Sequence, residues 1–212
     1  MIERLGVLGG MFDPVHRGHI KAAQYALEIL RLDRIRLVPC YLPNHRGPAS
    51  APAEERLEML RLATAGLPNL EVDDIEVTRR GTSYTADTLS AYKESLPDAT
   101  LVFILGADAY AGFTQWHNWQ HILELAHLAL LARGEVKVPE NVRQETQFET
   151  RVETDQQKLF QSSAGKIFLA NGFNYEASST DVRNALQSDA TEIPELDPSV
   201  RCYISSKSLY HA

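Results

Sequence analysis

Cysteine is scarce: Cys40 and Cys202 are the only two in 212 residues. One disulfide is arithmetically available, a disulfide framework is not, and a reducing cytosol suits the chain better. No apolar run approaches the ~20 residues of a membrane span. Met1 to Gly10 lacks the basic stretch and apolar core of a secretory signal, so the expectation is a soluble, cytoplasmic protein. Positive charge is also short, since 21 Lys+Arg against 28 Asp+Glu give −7 and a pI near 5.5. Non-specific nucleic-acid coats and anionic-membrane binders draw their affinity from clustered cations, so both are excluded. A small anionic substrate is not, because local charge governs a site. Two phosphate fingerprints are missing as well: there is no Gly-x-Gly-x-x-Gly and no Gly-Lys-Ser/Thr loop.

What is present is ordinary globular composition, 44% hydrophobic and 23% charged. A chain of this length buries roughly 70% of its unfolded surface and needs no staple. Leu5–Leu8, Ile35–Val38, Leu101–Leu105, Leu128–Leu131 and Ile167–Leu169 read as short buried strands, with Leu70–Val77 as another candidate. Helical patterns fall between them, one ending near Leu30 and others at Glu54–Ala65 and Thr85–Leu96. Strands alternating with helices predict an α/β fold, a Rossmann-like doubly wound parallel sheet flanked by helices. One domain is expected over residues 1–212. Residues 136–165, rich in Gln, Glu and Thr, read as a variable surface insertion, irregular or partly helical and solvated rather than a partner surface.

The first chemical feature lies where the first strand gives way to a helix, at Gly9-Gly10-Met11-Phe12-Asp13-Pro14-Val15-His16-Arg17-Gly18-His19. Glycine there lets backbone approach a ligand, and either Asp13-Pro14 serves as cap and first helical residue or the helix starts a turn later. His16 and His19, three apart, share a face near a helix N-terminus, a natural seat for phosphate. One such histidine alone ordinarily just decorates a helix start. A zinc pair would need further ligands, and no close Cys or acidic residue has the spacing. A second feature is Ser178-Ser179-Thr180-Asp181-Val182-Arg183. With Ser179 or Thr180 as N-cap, Arg183 falls in a first helical turn, where a cation is disfavoured by about 0.3–1 kcal/mol. Either Asp181 neutralises it or an anion sits between helix end and guanidinium; chemistry alone leaves these even.

The eleven-residue run Gly-Gly-x-Phe-Asp-Pro-x-His-x-Gly-His resembles the signature of the His-x-Gly-His nucleotidyltransferase superfamily. The resemblance implies that His16 and His19 bind triphosphate and stabilise the transition state at the α-phosphorus. The complete Ser-Ser-Thr-x-x-Arg match implies that Ser179, Thr180 and Arg183 hold the β and γ phosphates of ATP. Three further stretches, Thr82-Ser83-Tyr84-Thr85-Ala86-Asp87-Thr88-Leu89, Gly106-Ala107-Asp108 and Trp116-His117-Asn118-Trp119, are similar to the bacterial nicotinate-nucleotide adenylyltransferases. Taken singly they read as capping, for which Thr85 would serve as N-cap, and as core packing.

That family joins nicotinic acid mononucleotide to the AMP moiety of ATP, giving deamido-NAD and pyrophosphate in NAD biosynthesis. The resemblance implies ATP binding by Gly9, Gly10, Met11, Phe12, His16, His19, Gly106, Asp108, Ser179, Thr180 and Arg183. It implies mononucleotide binding by Arg46, Tyr84, Thr85 and Trp116, with Trp116 stacking on the pyridine ring. A helix N-terminus at Tyr84–Thr85 would favour a carboxylate over a neutral amide. The family loop Pro-x-x-x-Pro-Pro-His-Lys reads here Pro39-Cys40-Tyr41-Leu42-Pro43-Asn44-His45-Arg46, keeping the cation and losing one proline. His16, His19 and Arg183 are the expected catalytic residues and, with Arg46, supply the positive field. Mg²⁺ is expected to bridge phosphates, with no protein metal cage. The competing readings are the same transfer to nicotinamide mononucleotide or another phosphate acceptor, and a non-catalytic nucleotide-binding module. Homo-oligomerisation is left open.

Overall fold

The structure, a computed structural model, describes residues 2–44, 47–132, 134, 136–188 and 190–210. Its strands are β1 (Arg4–Gly10), β2 (Arg34–Pro39), β3 (Leu70–Val72), β4 (Thr100–Gly106), β5 (Ala126–Ala132), β6 (Val152–Glu153) and β7 (Ile167–Asn171). They form one seven-stranded sheet in the order β3-β2-β1-β4-β5-β7-β6. The expected Rossmann-like parallel sheet flanked by helices is what the chain forms. β1 pairs parallel with β4 (Leu5 beside Leu101, Leu8 beside Ile104), and β4 with β5 (Phe103 beside Leu128). β5 pairs parallel with β7. Every residue of β5 and Leu101–Leu105 of β4 are buried. That is why these strands read as unbroken apolar runs, as expected of parallel strands covered on both faces.

Between the strands run α1 (Arg17–Leu30), α2 (Ala53–Thr64), α3 (Ile75–Arg79), α4 (Thr85–Ser95), α5 (Ala107–Tyr110) and α6 (Trp119–Leu125), with a 3₁₀ turn at Phe113–Gln115. Later come α7 (Glu140–Glu145), α8 (Phe148–Arg151), α9 (Gln156–Leu159), α10 (Ser179–Gln187) and α11 (Pro198–Ser206). The strand expected over Leu70–Val77 stops at Val72, because the Asp73 carboxylate accepts the N–H of Ile75 at 3.0 Å and turns the chain into α3. Residues 136–165 fold into α7, α8, α9 and the short edge strand β6, and they bury Val142, Thr146, Phe148 and Leu159.

The chain clusters into two compact units. The first comprises Met1–Gly9, Tyr25–Arg36 and Tyr84–Asn174. Its core is built on Leu5, Val7, the apolar runs of β4 and β5, and Tyr110, Phe113 and Ile122. Within it the β1 end at Gly9 lies beside the β4 end at Gly106, where the strand order reverses and α/β sheets bind ligands. The second unit comprises Gly10–Gln24, Leu37–Ser83 and Tyr175–Ala212. Here Ala53, Leu57 and Val77 pack with Tyr41 and Val72, and the Tyr203 hydroxyl of α11 reaches Glu55 of α2 at 2.7 Å.

Candidate active site

In the second unit the loop after β1 is held by close packing. A Cβ on Gly10 would come within 3.2 Å of the Phe12 ring, so glycine lets Phe12 fold back beneath the loop. Phe12 takes φ +48, is buried, and sets its ring edge-on to His19 at 4.9 Å. α1 begins at Arg17, so Asp13-Pro14 does not cap it, and His16 stands immediately before the helix. The rings of His16 and His19 stack with centroids 3.8 Å apart.

Both rings are oriented by backbone. The Gly18 N–H donates to His16 Nδ1 at 3.1 Å, and the His16 N–H donates to His19 Nδ1 at 3.2 Å. A neutral imidazole whose Nδ1 accepts carries its proton on Nε2, so each ring offers an Nε2–H donor. Gly18 has no substitute here: a Cβ would lie 2.9 Å from the His16 ring and 3.2 Å from Tyr175. Burial pushes the His16 pKa down to about 4. His19 keeps a partly exposed edge but is densely surrounded. Burial, and then the charge of His16, hold it well below the ordinary imidazole value. Both histidines are therefore neutral donors at pH 7. The sequence reading counted them as cations, and desolvation corrects it.

α10 meets this loop through two side chains, Ser179 and Arg183. Ser179 Oγ donates to Pro14 O at 3.0 Å, and Arg183 donates to Asp13 O at 2.6 Å and to Thr180 Oγ1 at 3.1 Å. The N-cap is Ser178, not Ser179 or Thr180: its hydroxyl accepts the Asp181 N–H at 3.1 Å and donates to the Asp181 carboxylate at 2.6 Å. The signal was Ser178-x-x-Asp181, a capping-box spacing. Thus Gly10, Met11, Phe12, His16, His19, Ser179, Thr180 and Arg183 share the second unit. Arg46 lies outside the described residues.

Asp13, Arg56 and Tyr210 are participants that the sequence reading missed or gave other work. The buried Asp13 carboxylate accepts the N–H groups of Ser50 at 2.7 Å and Ala51 at 3.1 Å, and the Tyr210 hydroxyl at 2.8 Å. Arg56, 1% exposed, donates to the carbonyls of Met11 (2.7 Å), Cys40 (2.7 Å), Ala51 (3.1 Å) and Tyr41 (3.2 Å). Its signal was a cation beside Leu57 and one turn before Leu60, inside the apolar stripe of α2.

In the first unit stand Gly9, Tyr84, Thr85, Gly106, Asp108 and Trp116. A Cβ on Gly9 would touch Phe103 at 3.6 Å, and Phe103 meets the half-buried Trp116 edge-on at 6.0 Å. Gly106 is the N-cap of α5, and Asp108 lies exposed in its first turn. Tyr84, not Thr85, is the N-cap of α4, and it makes no side-chain cap bond. An N-cap without a side-chain acceptor gives the first turn of α4 no partner from the capping residue itself. Tyr84 also packs against His117 at 4.3 Å between ring centres, a neighbour that no sequence pattern marked.

Comparison with known proteins places the chain in a family. The cytidylyltransferase-like family model matches residues 7–185. A protein of Acidithiobacillus ferrooxidans named "Probable nicotinate-nucleotide adenylyltransferase" is 37% identical, over 99% of this chain and 97% of its own. One of the same name from Aeromonas salmonicida is 37% identical over 98% and 97%. Among solved structures, Plasmodium falciparum nicotinic acid mononucleotide adenylyltransferase complexed with NaAD shares the fold. Its TM-score is 0.74 at 20% identity, covering 98% of this chain and 97% of that one. Among the described residues no helix is long and apolar enough to cross a membrane.

Proposed function

The chain belongs to the nicotinate-nucleotide adenylyltransferase family, and from that premise we propose that it transfers the AMP moiety of ATP to nicotinic acid mononucleotide in the cytoplasm, releasing pyrophosphate and forming deamido-NAD. The observation that carries the reading is the stacked His16–His19 pair, each ring with Nδ1 bound to a backbone N–H. Two neutral Nε2–H donors fixed in one place suit oxygens that gain charge at a reacting phosphorus.

The mononucleotide phosphate is already ionised at neutral pH, so it attacks the α-phosphorus in line and pyrophosphate leaves, with no enzyme nucleophile. Catalysis is then positioning and electrostatics. Arg183, with Ser179 and Thr180, holds the β and γ phosphates, and Arg46 adds positive charge. Gly9, Gly10, Met11 and Phe12 line the nucleotide, and Gly106 and Asp108 meet the adenosine ribose. Trp116 is the platform for the pyridine ring. The uncapped start of α4 at Tyr84–Thr85 receives the carboxylate. His16 and His19 are donors suited to phosphate oxygens rather than to a cation. Mg²⁺ carried in with ATP would offset phosphate charge, while Arg183, Ser179 and Thr180 would hold the phosphates themselves.

The test is His19→Ala. Pyrophosphate release in the presence of both substrates should fall by orders of magnitude, with the circular dichroism spectrum unchanged. Near-normal turnover would refute the assignment.

A further inference from the structure

We propose that α7, α8 and the turn joining them form a buttress for Trp116, with Tyr110 and Thr146 as positioning residues for the mononucleotide ring. The inference rests on the reading of Trp116 as the pyridine platform, and it gives residues 136–165 a task beyond covering surface.

All the groups involved belong to the first unit. Trp116 packs on Phe113 at 5.6 Å, Phe113 stacks on Tyr110 at 5.3 Å, and Tyr110 meets Phe148 of α8 at 6.0 Å. Tyr110 and Phe113 are fully buried and Phe148 nearly so. The Trp116 N–H donates to Phe113 O at 3.0 Å, so the backbone follows the same line. Close-packed aromatic rings transmit displacement because no void absorbs it.

A polar relay fixes the far end. The Tyr110 hydroxyl donates to Thr146 Oγ1 at 2.8 Å, and the Thr146 hydroxyl donates to Val142 O at 2.6 Å. Both bonds are buried, and a buried hydroxyl is costly unless satisfied. Burial pushes the Tyr110 phenol up to about 12, which keeps it a donor throughout the working range. A solvated insertion has no need of an internal hydroxyl relay, and this one ends two aromatic contacts from the proposed platform.

The experiment measures steady-state constants for both substrates in Thr146→Val, which removes the relay at nearly constant volume, in Thr146→Ser, which keeps it, and in Phe148→Leu. A Trp119→Phe background leaves Trp116 as the sole tryptophan, so quenching by nicotinic acid mononucleotide reports ring binding directly. We expect Thr146→Val and Phe148→Leu to raise the mononucleotide KM and the quenching Kd about fivefold to tenfold. The ATP KM and kcat should hold, and Thr146→Ser should behave as wild type. Unchanged constants, or a fall in kcat with both KM values fixed, would overturn the buttress. Trp116→Ala separates the two layers: if it leaves the mononucleotide KM unchanged, the platform reading itself fails. If it raises that KM while Thr146→Val does not, only the buttress fails.

Discussion

Tyr210 donates its hydroxyl to Asp13 Oδ1 at 2.8 Å, across 197 residues of chain. The same aspartate accepts Arg183 on its carbonyl at 2.6 Å and the N–H groups of Ser50 and Ala51 on its carboxylate. One buried residue of the loop after β1 thus organises the loop before α2, the start of α10 and the segment after α11. Removing the phenol should loosen all three. Tyr210→Phe is expected to cost about 1–3 kcal/mol, as for a bond to a charged acceptor, read by urea unfolding, and to raise the ATP KM through Arg183. Its pH signature is alkaline. Burial and Asp13 raise the Tyr210 pKa, so the folded state keeps a proton that the unfolded state loses. Stability falls as pH rises above about 10, and Tyr210→Phe should blunt that fall.

Gly18→Ala should strike chemistry more than folding. The added Cβ would sit 2.9 Å from the His16 ring and must displace it. Turnover should drop by about 10²-fold or more, in the range of losing one well-placed transition-state donor. The far-ultraviolet circular dichroism should be retained; normal kcat in this variant would contradict the orienting role.

Arg56→Lys tests the strut beneath the loops. A lysine carries three donors without the planar fork, and it cannot reach the carbonyls of Met11, Cys40, Tyr41 and Ala51 together. A loss of about 3 kcal/mol is expected, about 6–12 °C in Tm for a chain of this size. A thermal midpoint equal to wild type would show that the loops stand without it.

Acid stability should follow the buried histidines. His127 is fully buried, pairs Nε2 with Ser162 O at 3.0 Å and accepts the Lys166 N–H on Nδ1 at 3.2 Å, and burial lowers its pKa to about 4. The unfolded chain takes up a proton near pH 6.5 that the folded chain refuses until about 4. Stability is therefore complete above 6.5 and declines as pH falls from there to 4. Urea midpoints between pH 7 and 4 should show this, and His127→Gln should reduce the slope. Nuclear magnetic resonance titration should find His16 unprotonated at pH 6; a midpoint near 6.5 would restore the imidazolium pair.

The parallel sheet was legible because β4 and β5 are buried on both faces and so read as unbroken apolar runs. The loop after β1 was legible because Gly10 and Gly18 are required by the Phe12 and His16 rings that pack on them. What stayed hidden depends on tertiary context. A tyrosine 197 residues from its acceptor leaves no local pattern, and the neutrality of His16 and His19 comes from burial that composition does not report. The partly helical texture of residues 136–165 was legible, but its buried side was not, since Val142, Thr146 and Phe148 find their apolar surroundings only in the folded unit.

The central claim is adenylyl transfer to a carboxylate-bearing mononucleotide. Its most direct test is the rate of pyrophosphate release with ATP and Mg²⁺, measured side by side with nicotinic acid mononucleotide and with nicotinamide mononucleotide. The α4 N-terminus, without a side-chain cap, predicts a kcat/KM higher for the acid by about tenfold or more, the weight of a partly buried helix-end interaction. Equal rates, or a preference for the amide, would contradict it.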